Sequence, residues 1–292
     1  MYKALLLIPS FLILFTASAK ETFKKEFDKS YTVDSNVLVD LHSGFSEVTI
    51  TNGSADKVQI HVEVLVDAKS EQEAQKLFNK IEVVMTGAKS KVTLKTEMDG
   101  DFDNDDDWSI KITISMPSTG GLNADQSFGS LKIQEIRGES DIHVSYGSLK
   151  ASKLSHAENK VKVSFGEGEI DHLGGGDITV EFGSLDIDRL TASSKLKCGY
   201  GELDIDHVDS SCKNLTIDNE FGNTKLSLAS GSGYTVEGSS SFGSIDLPSS
   251  AKIITKDSDW TSESIKATFG SGSSGGLIKL STSFGDIEID ID

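Results

Sequence analysis

An aromatic residue followed by glycine recurs nine times along the chain: Phe128-Gly129, Tyr146-Gly147, Phe165-Gly166, Phe182-Gly183, Tyr200-Gly201, Phe221-Gly222, Phe242-Gly243, Phe269-Gly270 and Phe284-Gly285. Successive aromatics lie 15 to 27 residues apart, most of them 17 to 21. A recurring period near 20 is the mark of a solenoid, in which each repeat is one coil. With the aromatic counted as zero, apolar residues recur at −4, −2, +3, +5 and +8. These are Ile142, Val144, Leu149, Ala151 and Leu154 in one copy, and Ile178, Val180, Leu185, Ile187 and Leu190 in another. Even spacing up to the aromatic describes one strand face, and +3 with +5 describes a second. Between them the parity slips by one residue, which would turn every later side chain over unless the chain bends. The +1 glycine, with no Cβ, is expected to supply that corner.

This reading places the aromatics on the inward side as a structural ladder of Phe128, Tyr146, Phe165, Phe182, Tyr200, Phe221, Phe242, Phe269 and Phe284. The repeats are too short for strand–helix–strand crossovers. Parallel stacking brings like residues into register, whereas an antiparallel meander would not. At about 4.8 Å per coil, nine coils make a rod about 40 Å long. The expected fold class is all-β, a single-chain parallel β-helix or solenoid, with a right-handed crossover as the preferred hand.

The chain before the repeats has a different pattern. "HSGFSEVTI" (42–50) resembles a degenerate coil, and Val58 to Val66 alternates as a strand. "SEQEAQKLFNK" (70–80) predicts a helix, with Ser70 and Glu73 as a capping box and Ala74, Leu77, Phe78 and Ile81 on one face. "VTLKTEM" and "WSIKITISM" are further strands around an acidic loop. A solenoid must cover its first coil, and this segment suits that role. The other end, "SFGDIEIDID", is expected to be bare, with Ile287, Ile289 and Ile291 inward and charged residues discouraging edge-to-edge pairing.

The first residues read as a signal peptide: Lys3 is the basic start, Ala4 to Thr16 is apolar but for Ser10, and Ala17-Ser18-Ala19 fits the cleavage pattern. The apolar run is short for a bilayer-spanning helix, which needs about 20 residues. An uncleaved anchor is the alternative. The expected organisation is a signal peptide at 1–19, an N-terminal β-rich capping segment at 20–120 with a helix about 70–80, and the β-solenoid at 121–292. The expected location is the periplasm or the cell surface, with no transmembrane span after signal removal.

The formal net charge is −18. No Lys/Arg cluster offsets it, so nucleic acid and anionic lipid are disfavoured, while a divalent cation, a neutral glycan or another protein of the cell envelope remains suitable. Cys198 and Cys212 are the two cysteines. An oxidising compartment invites a bridge, but Cys198 takes an inward position and Cys212 a connecting loop, and the pairing stays open.

Chemistry is sought on the outward positions. Glu169, Asp171, Asp186, Asp188, Asp204 and Asp206 fall at +4 and +6 of three successive coils, bordered by Lys150 and Lys225. Carboxylates stacked this closely repel by about 1 kcal/mol per near pair in high dielectric. They are candidates for Ca²⁺, the one cofactor under consideration, or for the acid–base pair of a carbohydrate-active β-helix enzyme. A solvated acidic face is the plainer reading. Asp99, Asp101 and Asp103 begin like a calcium loop, but Asn104 replaces the turn glycine and Ile110 the bidentate glutamate. His172 and His207, two coils apart at about 9.6 Å, are too distant to share a metal. No nucleophile–base motif or phosphate-cradling loop is present, so no catalytic residue is assigned.

The signal-like start, "VDLHSGFSEVTI" and the recurrent "SFGSLKI" and "EFGSLDI" coils together resemble the bacterial putative-adhesin family, including toastrack-type domains. The likeness spans about residues 27–292. It implies a β-solenoid in an exported or envelope-associated protein and brings no functional residues with it. The expected function is an exported, non-enzymatic binding or scaffold module of the cell envelope.

Overall fold

The computed structural model describes residues 20–100, 107–270 and 275–291. The signal-peptide reading, and Asp101 and Asp103 of the acidic loop, lie outside the described residues.

The solenoid forms as the repeat grammar requires. Each coil pairs in parallel with its neighbours, so like residues stack. Ile142 sits against Val161, Val161 against Ile178, Ile178 against Leu196 and Leu196 against Ile217. On the second strand Leu149 pairs with Leu131 and Gly168, and Leu185 with Leu203. A third, shorter face is made by single bridges joining Ile136, Leu154, Leu173, Leu190 and Val208, the +8 column. All these apolar residues are buried and form one continuous core with the N-terminal segment.

That segment extends both sheets. The coil of Leu38–Gly44 and Ser46–Asn52 lies directly beneath Gly121–Ser127 and Ser130–Ile133. Its first strand is continued by Lys91–Met98 and then Ile81–Gly87. Its second is continued by Asp107–Met116, Lys57–Ala68 and Glu21–Thr32. The helix spans Glu71–Phe78, with Ser70 as N-cap accepting the Glu73 N–H, and it buries Ala74, Leu77 and Phe78. Among the described residues, no helix is long and apolar enough to cross a membrane.

The aromatics do not point inward. Phe128, Tyr146, Phe165, Phe182, Tyr200, Phe221, Phe242 and Phe284 are all exposed, from 38% at Phe221 to 61% at Phe242. The reason lies in the backbone. At Phe45, Phe128, Tyr146, Phe165, Phe182 and Phe242 the aromatic itself adopts a left-handed conformation, with φ between 53° and 60°. This reverses the side the ring would take in a regular strand. The corner is therefore turned by the aromatic at these coils, whereas at the Tyr200, Phe221 and Phe284 coils the glycine turns it as expected, with φ of 145° at Gly201, 148° at Gly222 and 137° at Gly285. The glycine is required for close approach: a Cβ on Gly147 would stand 2.0 Å from the carbonyl oxygen of Gly129.

Two further expectations are corrected. Phe269 is buried in an antiparallel strand, Ser262–Phe269, and is not a rung; Phe45 is. The C-terminal coil is not a bare end. Gly276–Phe284 and Ile287–Ile291 insert between the Phe221 coil and the Phe242 coil, pairing with both. The end of the first sheet is instead formed by Ser262–Phe269 and the outermost strand Lys252–Ser258.

Candidate functional site

Two features lie on the outside of the rod: the aromatic corner and the acidic second-strand face. At the corner, nine rings among the described residues form one stack in the spatial order Phe45, Phe128, Tyr146, Phe165, Phe182, Tyr200, Phe221, Phe284, Phe242. Centroids are 4.6–5.1 Å apart and neighbouring planes tilt by 8° or less. The spacing is that of the coils themselves, so the sheet register sets the stack.

A bulky side chain in the left-handed region costs about 1–2 kcal/mol. Each rung recovers about 0.5–1.5 kcal/mol from ring contact. It also gains an inter-coil hydrogen bond, as where the Tyr146 N–H donates to Ser164 O at 2.9 Å and the Phe165 N–H to Glu181 O at 2.8 Å. The result is a continuous ribbon whose ring faces are covered by neighbours and whose edges meet solvent. A contiguous apolar strip at a protein surface is a candidate contact region.

The acidic residues form a grid. Glu169, Asp186 and Asp204 are directly paired on successive strands, with Lys150 paired to Glu169 and Lys225 to Asp204. The grid is partly neutralised from its ends, where Lys150 Nζ lies 2.5 Å from Glu169 and Lys225 Nζ 3.5 Å from Glu288. Burial first, then neighbouring carboxylates, push the Asp186 and Asp188 carboxyls above their usual range. Asp204 is raised for the same reasons, with Lys225 opposing. Asp171 and Asp206 occupy the adjoining +6 column. A depression of about 410 Å³ opens where Asp186, Glu202, Asp204, Asp286 and Glu288 surround Lys225. The aromatic platforms stand at the corner and do not ring these carboxylates.

The remaining candidates separate. His172 is held below its usual range by burial and by Lys153 and Arg189, while Arg189 pairs with Asp209 at 2.5 Å. Both cysteines are buried and free, and burial pushes each thiol up to about 11. Asp99 is described without the two aspartates that would join it. One cluster escaped sequence reasoning: Glu26, His61 and Glu63 bring ligand-type atoms within 4.8 Å of one another. It arises because the Glu21–Thr32 strand pairs antiparallel with Lys57–Ala68, a contact between distant segments with no local signature. Lys24 already occupies it, 2.9 Å from Glu26 and 3.4 Å from Glu63.

Parallel coils with apolar inward columns and an outward aromatic ribbon along one corner define a rack-like β-solenoid. The chain belongs to the Toastrack DUF4097 family, whose model matches residues 39–290. Solved structures with similarity include a putative cell adhesion protein from Clostridium sporogenes, 11% identical, with a TM-score of 0.27 and covering 92% of this chain and 100% of that one. A putative adhesin from Parabacteroides merdae is 13% identical, with a TM-score of 0.33 and coverage of 91% and 96%. A putative lipid binding protein from Parabacteroides distasonis is 12% identical, with a TM-score of 0.27 and coverage of 92% and 96%. No curated protein matches the chain.

Proposed function

We propose that the chain is an exported, non-enzymatic binding module of the bacterial cell envelope, engaging its partner along the exposed aromatic ribbon. The observation that carries this reading is the ribbon itself. Nine rings are held at the surface, six of them in a backbone conformation that a bulky residue adopts only when the surroundings impose it. The acidic grid fits a solvated face better than a catalytic groove, because its carboxylates stand on the outward face of the sheet, partly offset by Lys150 and Lys225, and the aromatic rings stand away from them at the corner.

The test compares the wild-type chain with a triple variant, Tyr146→Ser, Phe165→Ser and Phe182→Ser, in pull-down from solubilised envelope fractions. Circular dichroism checks that both are folded. Loss of the captured partner in a folded variant supports the ribbon; undiminished capture removes it as the contact surface. Fractionation of cells expressing the full chain, with mass spectrometry of its N-terminus, tests export. A full-length chain in the cytoplasm overturns that part.

A further inference from the structure

We propose that Glu26, His61 and Glu63 bind a divalent transition-metal ion of the zinc class, which clips the outermost strand, Glu21–Thr32, to the body of the rod. The site uses no residue of the aromatic ribbon and stands independently of the envelope reading.

The grid of side chains follows from strand pairing. Glu21–Thr32 pairs antiparallel with Lys57–Ala68 over its whole length without a register shift, placing Glu26 opposite Glu63 and Asp28 opposite His61. Residues two apart on a strand share a face, and so do directly opposed residues. The four side chains therefore stand together on the outward face. One ligand-type atom from each of Glu26, His61 and Glu63 lies within 4.8 Å of the other two.

The histidine is set for coordination by its second nitrogen. His61 Nδ1 lies 2.9 Å from Asp28 Oδ1. An ionised carboxylate only accepts, so Nδ1 carries the hydrogen and Nε2 keeps its lone pair. That lone pair is on the Glu26 side, with Nε2 3.9 Å from Glu26 Oε1, beyond hydrogen-bond reach. A carboxylate holding the far nitrogen of a ligating imidazole is the usual outer support of a metal site. Between the two glutamates a cation is already accommodated: Lys24 Nζ stands 2.9 Å from Glu26 and 3.4 Å from Glu63. This ammonium is the competitor that a metal ion displaces. Asp28 and His61 also line a depression of about 450 Å³, which gives a hydrated ion a way in.

The donor set selects the ion. Calcium and magnesium take oxygen ligands, whereas one imidazole nitrogen with two carboxylates suits zinc and its neighbours. Zinc bonds of about 2 Å in a tetrahedron bring ligand atoms to about 3.3 Å from one another. The glutamate side chains are long and partly or fully exposed, so they can close that gap by rotation while the paired backbones stay in place. Three protein ligands leave a fourth position for water. Because Glu26 belongs to the outer strand and His61 and Glu63 to the inner one, the ion joins the two strands by side chains as well as by the backbone ladder.

The test is calorimetry of the untagged chain, freed of metal by chelator and titrated with zinc chloride. Saturable binding of one ion per chain is expected, and Ca²⁺ or Mg²⁺ at about a hundredfold excess should not displace it. The His61→Ala, Glu63→Gln chain should lose binding while its metal-free melting midpoint stays near that of wild type. Asp28→Asn should weaken binding about tenfold through the histidine it positions. Lys24→Ala should tighten it, by up to about fivefold, since an exposed ion pair no longer competes. Hydrogen exchange should slow within Glu21–Thr32 when zinc is added, and the His61→Ala, Glu63→Gln chain should show no such slowing. No binding up to about 1 mM zinc, or binding that survives His61→Ala, Glu63→Gln, overturns the site. Displacement by calcium overturns the class of ion, and unchanged exchange in Glu21–Thr32 overturns the clip.

Discussion

At the residue scale, the corner pair divides its labour differently from what its composition suggests. The aromatic–glycine pattern was plain in the sequence, and so were the inward columns at −4, +3, +5 and +8. The side taken by the ring was not, because a period of two assumes extended dihedrals and the left-handed turn at Tyr146 breaks that assumption. The glycine column is set by packing between coils: Gly147 lies on Gly129 and Gly166 on Gly147, each closer than a Cβ permits. Gly147→Ala is therefore expected to destabilise the chain by about 2 kcal/mol or more through forced coil separation. Lys150→Ala, at an exposed pair, should barely move the same thermal melt. The acidic grid gives a second expectation. Asp186 and Asp204 have raised carboxyls, so the folded chain binds protons where the unfolded chain has already lost them. Their charge therefore opposes folding at neutral pH, and the opposition is relieved as pH falls through the raised values. An Asp186→Asn, Asp204→Asn chain should melt higher than wild type at pH 7, with the advantage vanishing below about pH 4. Asp209 has the opposite sign. Ser211 and Arg189 hold its carboxyl down, so its stabilisation is present at neutral pH and lost on acidification.

At the scale of elements, legibility followed locality. The helix was readable because its signals are adjacent: Ser70 caps Glu73, and the Glu73 carboxylate returns to the Lys69 N–H at 2.9 Å. The Glu21–Thr32 strand carried little pattern of its own and owes its place to pairing with Lys57–Ala68. The outermost strand, Lys252–Ser258, is exposed along its whole length, with Ile253 and Ile254 each 56% exposed. Such an edge invites a second copy. Two devices oppose that. A register shift between Ile253 and Thr255 interrupts the ladder. In the regular stretch that follows, opposite residues of a two-fold antiparallel pair must share a face. The registers that overlay this stretch on itself centre on Lys256 or on Asp257, each placing like charges together. Lys256→Ile removes one of these barriers and should raise the sedimentation coefficient with concentration, while the wild-type chain stays monomeric. An unchanged variant would mean that the bulge alone protects the edge.

At the scale of the whole molecule, the period counts coils but does not order them. Sequence order and spatial order agree from Phe128 to Phe221 and then part, because Phe284 lies between Phe221 and Phe242. The clue was the irregular spacing near the end: 27 residues separate Phe242 from Phe269, and 15 separate Phe269 from Phe284. The excess holds the hairpin of Lys252–Ser258 and Ser262–Phe269, which lets the chain return and insert a coil. Every inserted strand offers the same apolar columns, so composition alone could not distinguish insertion from addition at the end. Cross-linking can. Asp218 is paired with Ser281 and accepts its hydroxyl at 2.8 Å, whereas simple addition would place Asp218 beside Ser239. An Asp218→Cys, Ser281→Cys chain should oxidise to an intramolecular disulfide, since parallel neighbours approach the separation a bridge needs. An Asp218→Cys, Ser239→Cys chain should not, because a full coil then lies between the two sulfurs. The native thiols will not compete: Cys198 and Cys212 are buried, and with ionisation pushed up to about 11 they carry almost no thiolate at pH 8. Peptide mapping under oxidising conditions reads the outcome. A bridge in the second chain and none in the first would return the C-terminal coil to the end of the rod.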